Sequence, residues 1–295
     1  MSRLGSLRSH HHSEFPAERL RAEREESISV CVPAREEAAT IAGVVGPLVT
    51  LREAGVVDQV VVVDADSSDG TGAIAAELGA EVHRQAQLLP SFGPVLGKGD
   101  AMWRALSVLT GDLVCFVDAD TEDFGAHFAC GLLGPLVCTP AVQFVKGHYR
   151  RPFKAGSSAA LPTGGGRVTE LTARPLLRAF YPELAGVRQP LAGEIAARRE
   201  LLGRMAFCTG YAVEMGLLLD IYADLGLGAV AQVDLDVRQN RHQSLEELAP
   251  MAAAVLSAVT SRLRREGRLR DGERDGAGLL ERPPLESLCA LRRAG

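Results

Sequence analysis

Two pairs of aspartates follow two apolar segments of this chain. Asp118 and Asp120 follow the apolar run LVCFV in the segment LVCFVDADTED. Asp64 and Asp66 follow the valine run in the segment VVVDADSSDGT. Two carboxylates one residue apart at the end of a buried strand can reach a divalent cation and a ribose together, and Mg²⁺ or Mn²⁺ in turn neutralises a diphosphate. A solvated strand end with a turn-forming aspartate is the simpler alternative. We favour a metal site at Asp118 and Asp120, because a long apolar run precedes them.

The upstream pair has two possible uses. Asp64 stands at the tip of its predicted strand, where its carboxylate can accept a hydrogen bond from a base or a ribose. Ser68 or Asp69 is suited to cap the helix that follows, because short polar side chains satisfy free backbone N–H groups there. The two interpretations are compatible.

The segment GPVLGKGD, residues 93–100, invites comparison with a nucleotide-binding phosphate loop. It has three rather than four residues between its glycines, and Gly99 stands where that loop needs Ser or Thr, so we reject the comparison. Lys98 precedes a predicted helix and can still contact a phosphate or a base. An ordinary exposed lysine is the simpler interpretation.

The segment TGGGRVTE, residues 163–170, combines three glycines with Arg167 at a predicted helix start. Accessible backbone amides, the positive end of a helix and a guanidinium fork form a cradle for a small phosphorylated or carboxylated acid. A flexible linker would leave Arg167 and Thr169 unexplained. We therefore expect an anion site here.

His242 lies in VRQNRHQS, directly after the last predicted strand. A lone histidine usually has a structural role, but a cation in a crevice often takes one nitrogen ligand from a late loop. The residues alone leave both interpretations open.

The elements that must position these residues are predicted from hydrophobic spacing. Apolar strands at 27–33, 59–64, 81–83, 112–118 and 228–237 alternate with helices at 36–51, 71–78, 99–109, 214–225 and 245–264. This pattern predicts an α/β fold with a Rossmann-like, mostly parallel sheet flanked by helices. Ligands of such sheets bind at the carboxyl ends of the strands, so Pro33, Asp64 and Asp118 should meet in one crevice.

Composition narrows the class of protein. The chain has 295 residues, 46% of them hydrophobic and 23% charged, with a net charge of −5. An ordinary composition indicates a globular protein, and the negative charge argues against a nucleic-acid partner. No apolar stretch reaches the roughly 20 residues of a membrane helix and no export signal opens the sequence, so we expect no membrane association and a cytoplasmic protein.

We expect residues 1–26, with His10 to His12, to be a disordered tail, residues 27–244 to form the catalytic domain, and residues 245–295 to form a C-terminal helix and tail.

Six motifs carry a resemblance to a known family. PAREEAATI, GKGDAMWRAL, FVDADT, TGGGRVTELTARPLL, QPLAGE and GYAVEMGLL occur in this order between residues 27 and 248. Together they resemble the glucosyl-3-phosphoglycerate and mannosyl-3-phosphoglycerate synthases, which are retaining glycosyltransferases of the GT-A fold. The resemblance implies transfer of a hexose from GDP-mannose, GDP-glucose or UDP-glucose to the C2 hydroxyl of 3-phosphoglycerate, with Mg²⁺ or Mn²⁺ as cofactor. It also implies a homodimer, for which the helix at 245–263 is a candidate interface unless that helix packs on its own domain.

The resemblance assigns residues to each part of the site. It places the nucleotide sugar among Pro33, Ala34, Glu37, Asp64, Lys98, Asp118, Gln189, Gly193, Tyr211 and Glu214. It places the acceptor among Gly165, Gly166, Arg167 and Thr169. It places Asp118 near the ribose and Asp120 on the metal, and we expect Asp118, Asp120 and His242 to be the three protein ligands of that metal. Asp120, Arg167 and Glu194 are the expected catalytic residues, with Glu194 orienting sugar hydroxyls.

Three departures from the glucosyl members bear on the donor. Those enzymes carry motifs similar to P-A-L-D-E-E and D-S-D, whereas this chain has Arg35 in the first motif and Ala119 in the second. They also carry Gly-Gly-Glu where this chain has Ala192 followed by Gly-Glu. Their late metal-binding histidine aligns with Asn240, although we keep His242 as the ligand. The differences favour mannose and GDP, with UDP-glucose as the alternative. A non-catalytic nucleotide-sugar sensor is a more remote alternative. A donor-hydrolysis assay would distinguish such a sensor from a transferase.

Overall fold

The computed structural model describes residues 5–152, 165–239, 244–269 and 280–287. The strands are β1 (Arg8–His11), β2 (Ile28–Ala34), β3 (Gln59–Asp64), β4 (Glu81–Arg84), β5 (Leu113–Phe116), β6 (Phe144–Arg150), β7 (Ile195–Arg198), β8 (Phe207–Cys208), β9 (Val230–Val237) and β10 (Glu281–Arg282). The α-helices are α1 (Ala17–Glu23), α2 (Ile41–Glu53), α3 (Thr71–Glu77), α4 (Lys98–Ala105), α5 (Ala126–Cys138), α6 (Arg174–Phe180), α7 (Arg199–Arg204), α8 (Val213–Leu225) and α9 (Leu245–Arg265).

Eight of these strands form one sheet in the order β1-β9-β6-β7-β5-β2-β3-β4. Its strands pair in parallel except for β7, which runs antiparallel to both β5 and β6. The predicted α/β fold with a mostly parallel sheet is confirmed. Strands β8 and β10 pair separately as a short antiparallel ribbon.

The sheet is covered on both faces, which explains its unbroken apolar strands. In β3, Val61 and Val63 belong to one hydrophobic cluster, whereas Val60 and Val62 belong to the other. Successive side chains of a strand point to opposite faces, so a strand buried on both sides needs apolar residues at every position. Neither face of β3 is left to water.

The strand ends meet at one edge of the sheet. Ala34 is in register with Asp64, so β2 and β3 end together, and β5 ends nearby at Phe116. Because β7 is antiparallel, its first residue, Ile195, pairs with Phe116 and brings the preceding Glu194 to the same edge. The sequence predicts neither β6 nor β7, and β7 is what adds Glu194 to this edge.

The predicted disordered tail is wrong for its described part, residues 5–26. Strand β1 pairs in parallel with β9, from Arg8 opposite Ala231 to His11 opposite Asp234. Phe15 and Leu20 are buried in the same segment. The backbone of β1 satisfies the otherwise unpaired edge of β9, and two apolar side chains anchor a stretch whose polar composition suggested disorder.

Helix α2 begins at Ile41, five residues later than its predicted start at Glu36. The intervening backbone N–H groups donate to the loop after β3: Glu36 to Ser67 Oγ at 2.9 Å, and Glu37 to Thr71 Oγ1 at 2.8 Å. Glu36 also has a left-handed φ of 54°. These contacts make residues 36–40 a loop at the sheet edge rather than a helical turn.

The predicted C-terminal helix is present as α9, and one face of it packs on its own domain. Val255, Ala258 and Leu263 are buried, and α9 lies against α8. The guanidinium of Arg262 pairs with Asp220 at 2.5 Å and with Glu281 at 2.6 Å, which ties β10 to these helices. Among the described residues, no helix is both long enough and apolar enough to cross a membrane.

Candidate active site

A cavity of about 750 Å³ opens at the carboxyl edge of the sheet. Strand ends form its floor, and α4, α8, α9 and the segment around Arg167 form its walls. Of the residues predicted for the site, it brings together Pro33, Ala34, Glu37, Lys98, Asp118, Asp120, Gly165, Gly166, Arg167, Thr169, Tyr211 and Glu214. Gln189, Asp64, Gly193 and Glu194 do not line it.

Asp118 and Asp120 lie on the floor of the cavity, just after β5. Asp118 accepts a hydrogen bond from Lys98 Nζ at 2.5 Å and pairs with Arg238 Nη1 at 3.1 Å. Burial opposes the charged carboxylate, but Lys98 and Arg238 outweigh it and hold the pKa of Asp118 below its usual value. Asp120 accepts from Arg238 Nη2 at 2.5 Å and keeps 38% of its side chain exposed. Both carboxylates thus face the crevice.

A third carboxylate lies beside this pair. Burial, followed by repulsion from Asp120, raises the pKa of Glu37 above its usual value. Like charges that lie close together repel one another, and a cation bound between them would relieve this repulsion. The oxygen donors of Asp118, Asp120 and Glu37 are the type that Mg²⁺ and Mn²⁺ prefer.

Lys98 is the first residue of α4 and bridges two acids. Its ammonium group lies 2.5 Å from Asp118 and 3.0 Å from Glu214, the latter on α8. Burial would lower the pKa of Lys98, but these two carboxylates raise it well above the usual value. The lysine is therefore a charged member of the site, not the exposed side chain of the simpler interpretation.

Arg238 is a functional residue that the sequence analysis misses. Its side chain is almost fully buried, and its guanidinium contacts Asp118, Asp120, Glu194 and Tyr149. The available signal was its position: it follows β9, and the carboxyl ends of parallel strands are where ligands gather. The motifs that carry the family resemblance do not include Arg238.

Glu194 lies behind Arg238 rather than on the cavity wall. Its carboxylate is fully buried, 2.9 Å from Arg238 Nη1, and accepts from the Tyr149 hydroxyl at 2.7 Å. Burial raises the pKa of Glu194, with Arg238 opposing the rise. The carboxylate predicted to orient sugar hydroxyls thus contacts Arg238 and Tyr149 in this structure.

Gly193 presses its backbone against the central ion pair. A Cβ atom at this position would lie 2.3 Å from Lys98 Nζ and 2.4 Å from Asp118 Oδ1, so the ion pair or the loop would have to shift to admit a side chain. The buried Lys146 donates to the carbonyl of Ala192 at 3.0 Å and holds this loop in place. The absence of a side chain at Gly193 thus allows the loop to lie directly against the ion pair.

Gln189 and Asp64 are placed differently from their predictions. The amide of Gln189 pairs with the backbone of Tyr149, with Nε2 to the carbonyl at 2.5 Å, so it secures the loop to β6 instead of lining a sugar site. Asp64 is buried and accepts from Ser67 Oγ at 2.6 Å. In this structure both side chains thus bond to protein groups, Gln189 to a residue 40 positions away and Asp64 to one three positions away. Asp69 accepts from the Thr71 N–H at 3.0 Å, but the N-cap of α3 is Gly70, so the prediction that Ser68 or Asp69 is the N-cap residue is wrong.

The predicted anion cradle lies at the other end of the cavity. Gly166 has a left-handed φ of 73° and is followed by Arg167 and a short π-helical turn from Thr169 to Ala173. A second arginine, Arg151, lines the same wall, and its backbone carbonyl accepts from the N–H of Gly165 at 3.3 Å. Arg151 is not among the residues predicted for the acceptor site. His242 and Asn240, between which the third metal ligand was to be chosen, lie outside the described residues.

Comparisons with known proteins agree with this geometry. Residues 29–129 match the glycosyl transferase family 2 model. The chain is 47% identical over 236 residues to the glucosyl-3-phosphoglycerate synthase of Mycolicibacterium smegmatis, covering 80% of this chain and 77% of that enzyme.

Two solved structures extend the likeness to the whole fold. Mannosyl-3-phosphoglycerate synthase from Rubrobacter xylanophilus superposes with a TM-score of 0.87 at 46% identity, covering 95% of this chain and 97% of that one. Glucosyl-3-phosphoglycerate synthase from Mycobacterium tuberculosis, in complex with Mn²⁺, UDP and phosphoglyceric acid, superposes with a TM-score of 0.83 at 39% identity, covering 96% and 99%. From this shared sequence and fold we conclude that the chain belongs to the glucosyl- and mannosyl-3-phosphoglycerate synthase family, metal-dependent glycosyltransferases with the GT-A fold.

Proposed function

We propose that this protein transfers a hexose from a nucleotide diphosphate sugar to the C2 hydroxyl of 3-phosphoglycerate, with retention of the anomeric configuration. One observation carries the proposal: the acidic pair Asp118 and Asp120 and the cradle around Arg167 line the same cavity of about 750 Å³. A donor diphosphate at the acids and an acceptor in the cradle would be held side by side. The M. tuberculosis enzyme, crystallised with Mn²⁺, UDP and phosphoglyceric acid, supports this arrangement.

Asp118 and Asp120 would hold a divalent metal, with His242 proposed as the third protein ligand. Burial, followed by repulsion from Asp120, raises the pKa of Glu37, and the repulsive part supports a cation at this place. When bound, Mg²⁺ or Mn²⁺ neutralises the charge that develops on the leaving diphosphate. Asp120 is the better placed donor, because 38% of its side chain faces the crevice compared with 19% of Asp118.

The remaining residues act by position and charge. Lys98 bridges Asp118 and Glu214 and presents a fixed positive charge beside the acids. Glu194 is buried behind Arg238, so it supports the site without reaching the sugar as a nucleophile. Preorganised charges and a fixed geometry lower the barrier to an oxocarbenium-like transition state without a covalent intermediate.

The acceptor end suits a small dianionic acid. Arg151 and Arg167 both line it, and the backbone at Gly165 and Gly166 approaches the cavity without side chains. Guanidinium forks bind carboxylate and phosphate groups with paired hydrogen bonds. 3-Phosphoglycerate carries both groups, one at each end, so two arginines can hold it with its hydroxyl between them.

Mannose from GDP-mannose is our first candidate for the donor. Identity over nearly the whole chain is 46% with the R. xylanophilus mannosyl enzyme and 39% with the M. tuberculosis glucosyl enzyme. Glucose from UDP-glucose is the second candidate, because the M. smegmatis relative at 47% identity is a glucosyl enzyme.

Product analysis decides between these donors. The enzyme is offered 3-phosphoglycerate and Mg²⁺ with GDP-mannose, GDP-glucose, UDP-glucose or UDP-mannose in parallel, and the product is examined by NMR for its sugar and its anomeric configuration. We expect a phosphorylated α-hexosylglycerate, most rapidly from GDP-mannose. If a donor binds but none of the four yields either product or hydrolysed donor, the non-catalytic sensor would be favoured instead.

We also propose a homodimer that uses the outer face of α9. Leu245 and Leu256 are 69% and 47% exposed there, while the opposite face is buried on α8. Light scattering of the purified chain tests this: a monomer at all concentrations would overturn the proposal. Replacing Leu256 with Glu should reduce dimerisation without unfolding the chain.

A further inference from the structure

A cluster of histidines lies at the sheet edge formed by β1 and β9. His11 Nε2 lies 3.3 Å from Asp236 Oδ1, and His12 Nε2 lies 2.7 Å from Asp236 Oδ2. The two rings therefore point at different oxygens of one carboxylate. Parallel pairing of β1 with β9 produces this arrangement, because it sets His11 opposite Asp234, two residues before Asp236.

The three side chains are of the kind and spacing that hold a metal ion. One ligand atom from each lies within 4.8 Å of the others. Two ligands about 2.1 Å from a tetrahedral Zn²⁺ are roughly 3.4 Å apart, so small side-chain rotations suffice to admit the ion. Two imidazoles with one carboxylate suit Zn²⁺ and similar ions such as Co²⁺, whereas Mg²⁺ and Ca²⁺ prefer oxygen donors alone.

The surroundings leave the cluster accessible but ordered. His11 and Asp236 side chains are 44% and 49% exposed, so an ion can reach them from solvent. His12 is 18% exposed and its ring packs on that of His127, with 4.6 Å between the centroids. Asp236 is held by its N–H, which donates to Asp234 Oδ1 at 3.0 Å. At least two of the three ligands are thus positioned before any ion arrives.

We propose that His11, His12 and Asp236 form a binding site for Zn²⁺ or a chemically similar divalent ion, separate from the carboxylate crevice at Asp118 and Asp120. The bound ion would link the N-terminal segment to the end of β9. His12 and Asp236 are 224 positions apart, so such a link closes a long loop and stabilises the folded chain.

Ser13 supplies the partner that a metal-bound His11 needs. His11 Nδ1 lies 2.8 Å from the Ser13 hydroxyl and 3.2 Å from the Ser13 N–H. Without an ion, Nδ1 accepts from that N–H and Nε2–H donates to Asp236. With an ion on Nε2, the proton moves to Nδ1 and donates to the Ser13 hydroxyl. Metal-binding histidines usually donate their second N–H in this way.

Zinc stoichiometry tests the proposal. The full-length chain, without an affinity tag, is stripped with EDTA and dialysed against Zn²⁺ in excess Mg²⁺, which occupies the carboxylate crevice. We expect about one Zn²⁺ per chain, with affinity reduced more than ~10-fold in His12→Gln and in Asp236→Asn. Ser13→Ala removes no ligand and should weaken binding by about 10-fold as well.

The matched control is His10→Gln. His10 is the adjacent histidine, but its Nδ1 pairs with Glu14 at 2.9 Å, so this variant should bind Zn²⁺ like the wild type. Unchanged binding in both His12→Gln and Asp236→Asn would overturn the site. Loss of Zn²⁺ in Asp120→Asn with retention in those two variants would place the ion in the crevice and overturn the proposal equally.

Histidine modification by diethylpyrocarbonate maps the site in the unmodified chain. Saturating Zn²⁺ should slow modification of His11 and His12 by more than ~10-fold, because the metal occupies their Nε2 lone pairs. His83, which pairs with Glu81 at 2.6 Å far from the cluster, should react at the same rate with and without Zn²⁺. Equal protection of His83, or none at His11 and His12, would contradict the proposal.

Discussion

Arg238 Nη2 donates to Asp120 Oδ1 across 2.5 Å, although the two residues are 118 positions apart and follow different strands. The same guanidinium reaches Asp118 and the buried Glu194. One buried cation thus fixes the directions of three carboxylates at the sheet edge. The geometry of the proposed metal-binding pair therefore depends on β9 as much as on β5.

Removing this guanidinium should cost both stability and transfer. Arg238→Met removes the ion-pair partner of the buried Glu194 and one of the two cationic partners of Asp118. For this we expect a loss of about 3–5 kcal/mol in the free energy of unfolding. Urea denaturation gives the value. Arg204→Met is the control, because Arg204 is 43% exposed and lies 3.9 Å from Asp224; its change should stay below about 1 kcal/mol. Equal effects of the two substitutions would contradict the role of Arg238.

Asp120→Asn should abolish transfer while the protein stays folded. The substitution keeps the size of the side chain but removes the charge that a divalent metal needs, so we expect kcat to fall by at least ~10²-fold. Asp66→Asn is the control: Asp66 occupies the same place in the other acidic pair, is exposed, and adopts a φ of 56° that Asn tolerates. Assays with varied Mn²⁺ and a melting curve for each variant complete the test. Wild-type turnover in Asp120→Asn would refute the metal assignment.

Gly193→Ala should reduce transfer without a ligand contact being removed. Its Cβ would meet Lys98 Nζ and Asp118 Oδ1, so the ion pair must separate or the loop must move. We expect a fall of at least ~10-fold in kcat/KM, because small displacements in a site are costly. Gly43→Ala is the control, since a Cβ there meets nothing within 4 Å. At this exposed position of α2, alanine should stabilise the chain by up to about 1 kcal/mol.

Arg167→Gln should act on the acceptor alone. Loss of a guanidinium–anion pair should raise the KM for 3-phosphoglycerate by roughly 10-fold or more and leave the donor KM nearly unchanged. Arg178→Gln changes an exposed arginine on α6 and should alter neither constant. A weakened donor with an unchanged acceptor KM would assign Arg167 to the opposite end of the cavity.

Lys146 gives a dependence of stability on pH. Burial lowers the pKa of this lysine from 10.5 to about 8. Between these values the unfolded chain binds more protons than the folded chain, so the free energy of unfolding contributed by Lys146 rises with pH. The full rise is roughly 3 kcal/mol, and below pH 8 the penalty of the buried charge is constant.

Lys146→Met should therefore remove this rise. Measured by urea denaturation from pH 7 to 10, the unfolding free energy of the variant relative to the wild type should decrease as pH increases. Subtracting the two curves cancels the titration of other groups. A constant difference over this range would show that Lys146 keeps an ordinary pKa in the folded chain.

Local patterns in the sequence determined five of the eight strands of the main sheet and two parts of the candidate site. The Val-rich segments at β2 and β3 are almost continuously apolar, with Ser29, Gln59 and Asp64 as the exceptions, which is typical of strands covered on both faces. Strands of one parallel sheet end at one edge, so Asp118 and Asp120 could be assigned to a crevice, and the glycines before Arg167 indicated a second binding element. These inferences need only neighbouring residues and the direction of the chain.

Tertiary structure alone decided which distant groups meet. Strand β7 is four residues long, and nothing in IAAR states that it inserts antiparallel between β5 and β6 and brings Glu194 to the edge. Likewise, Gln189 pairs with the backbone of Tyr149, 40 positions away, and Arg238 pairs with three carboxylates from other segments of the chain. The physical reason is that strand pairing and buried ion pairs join residues far apart in sequence, whose mutual distances no local spacing encodes.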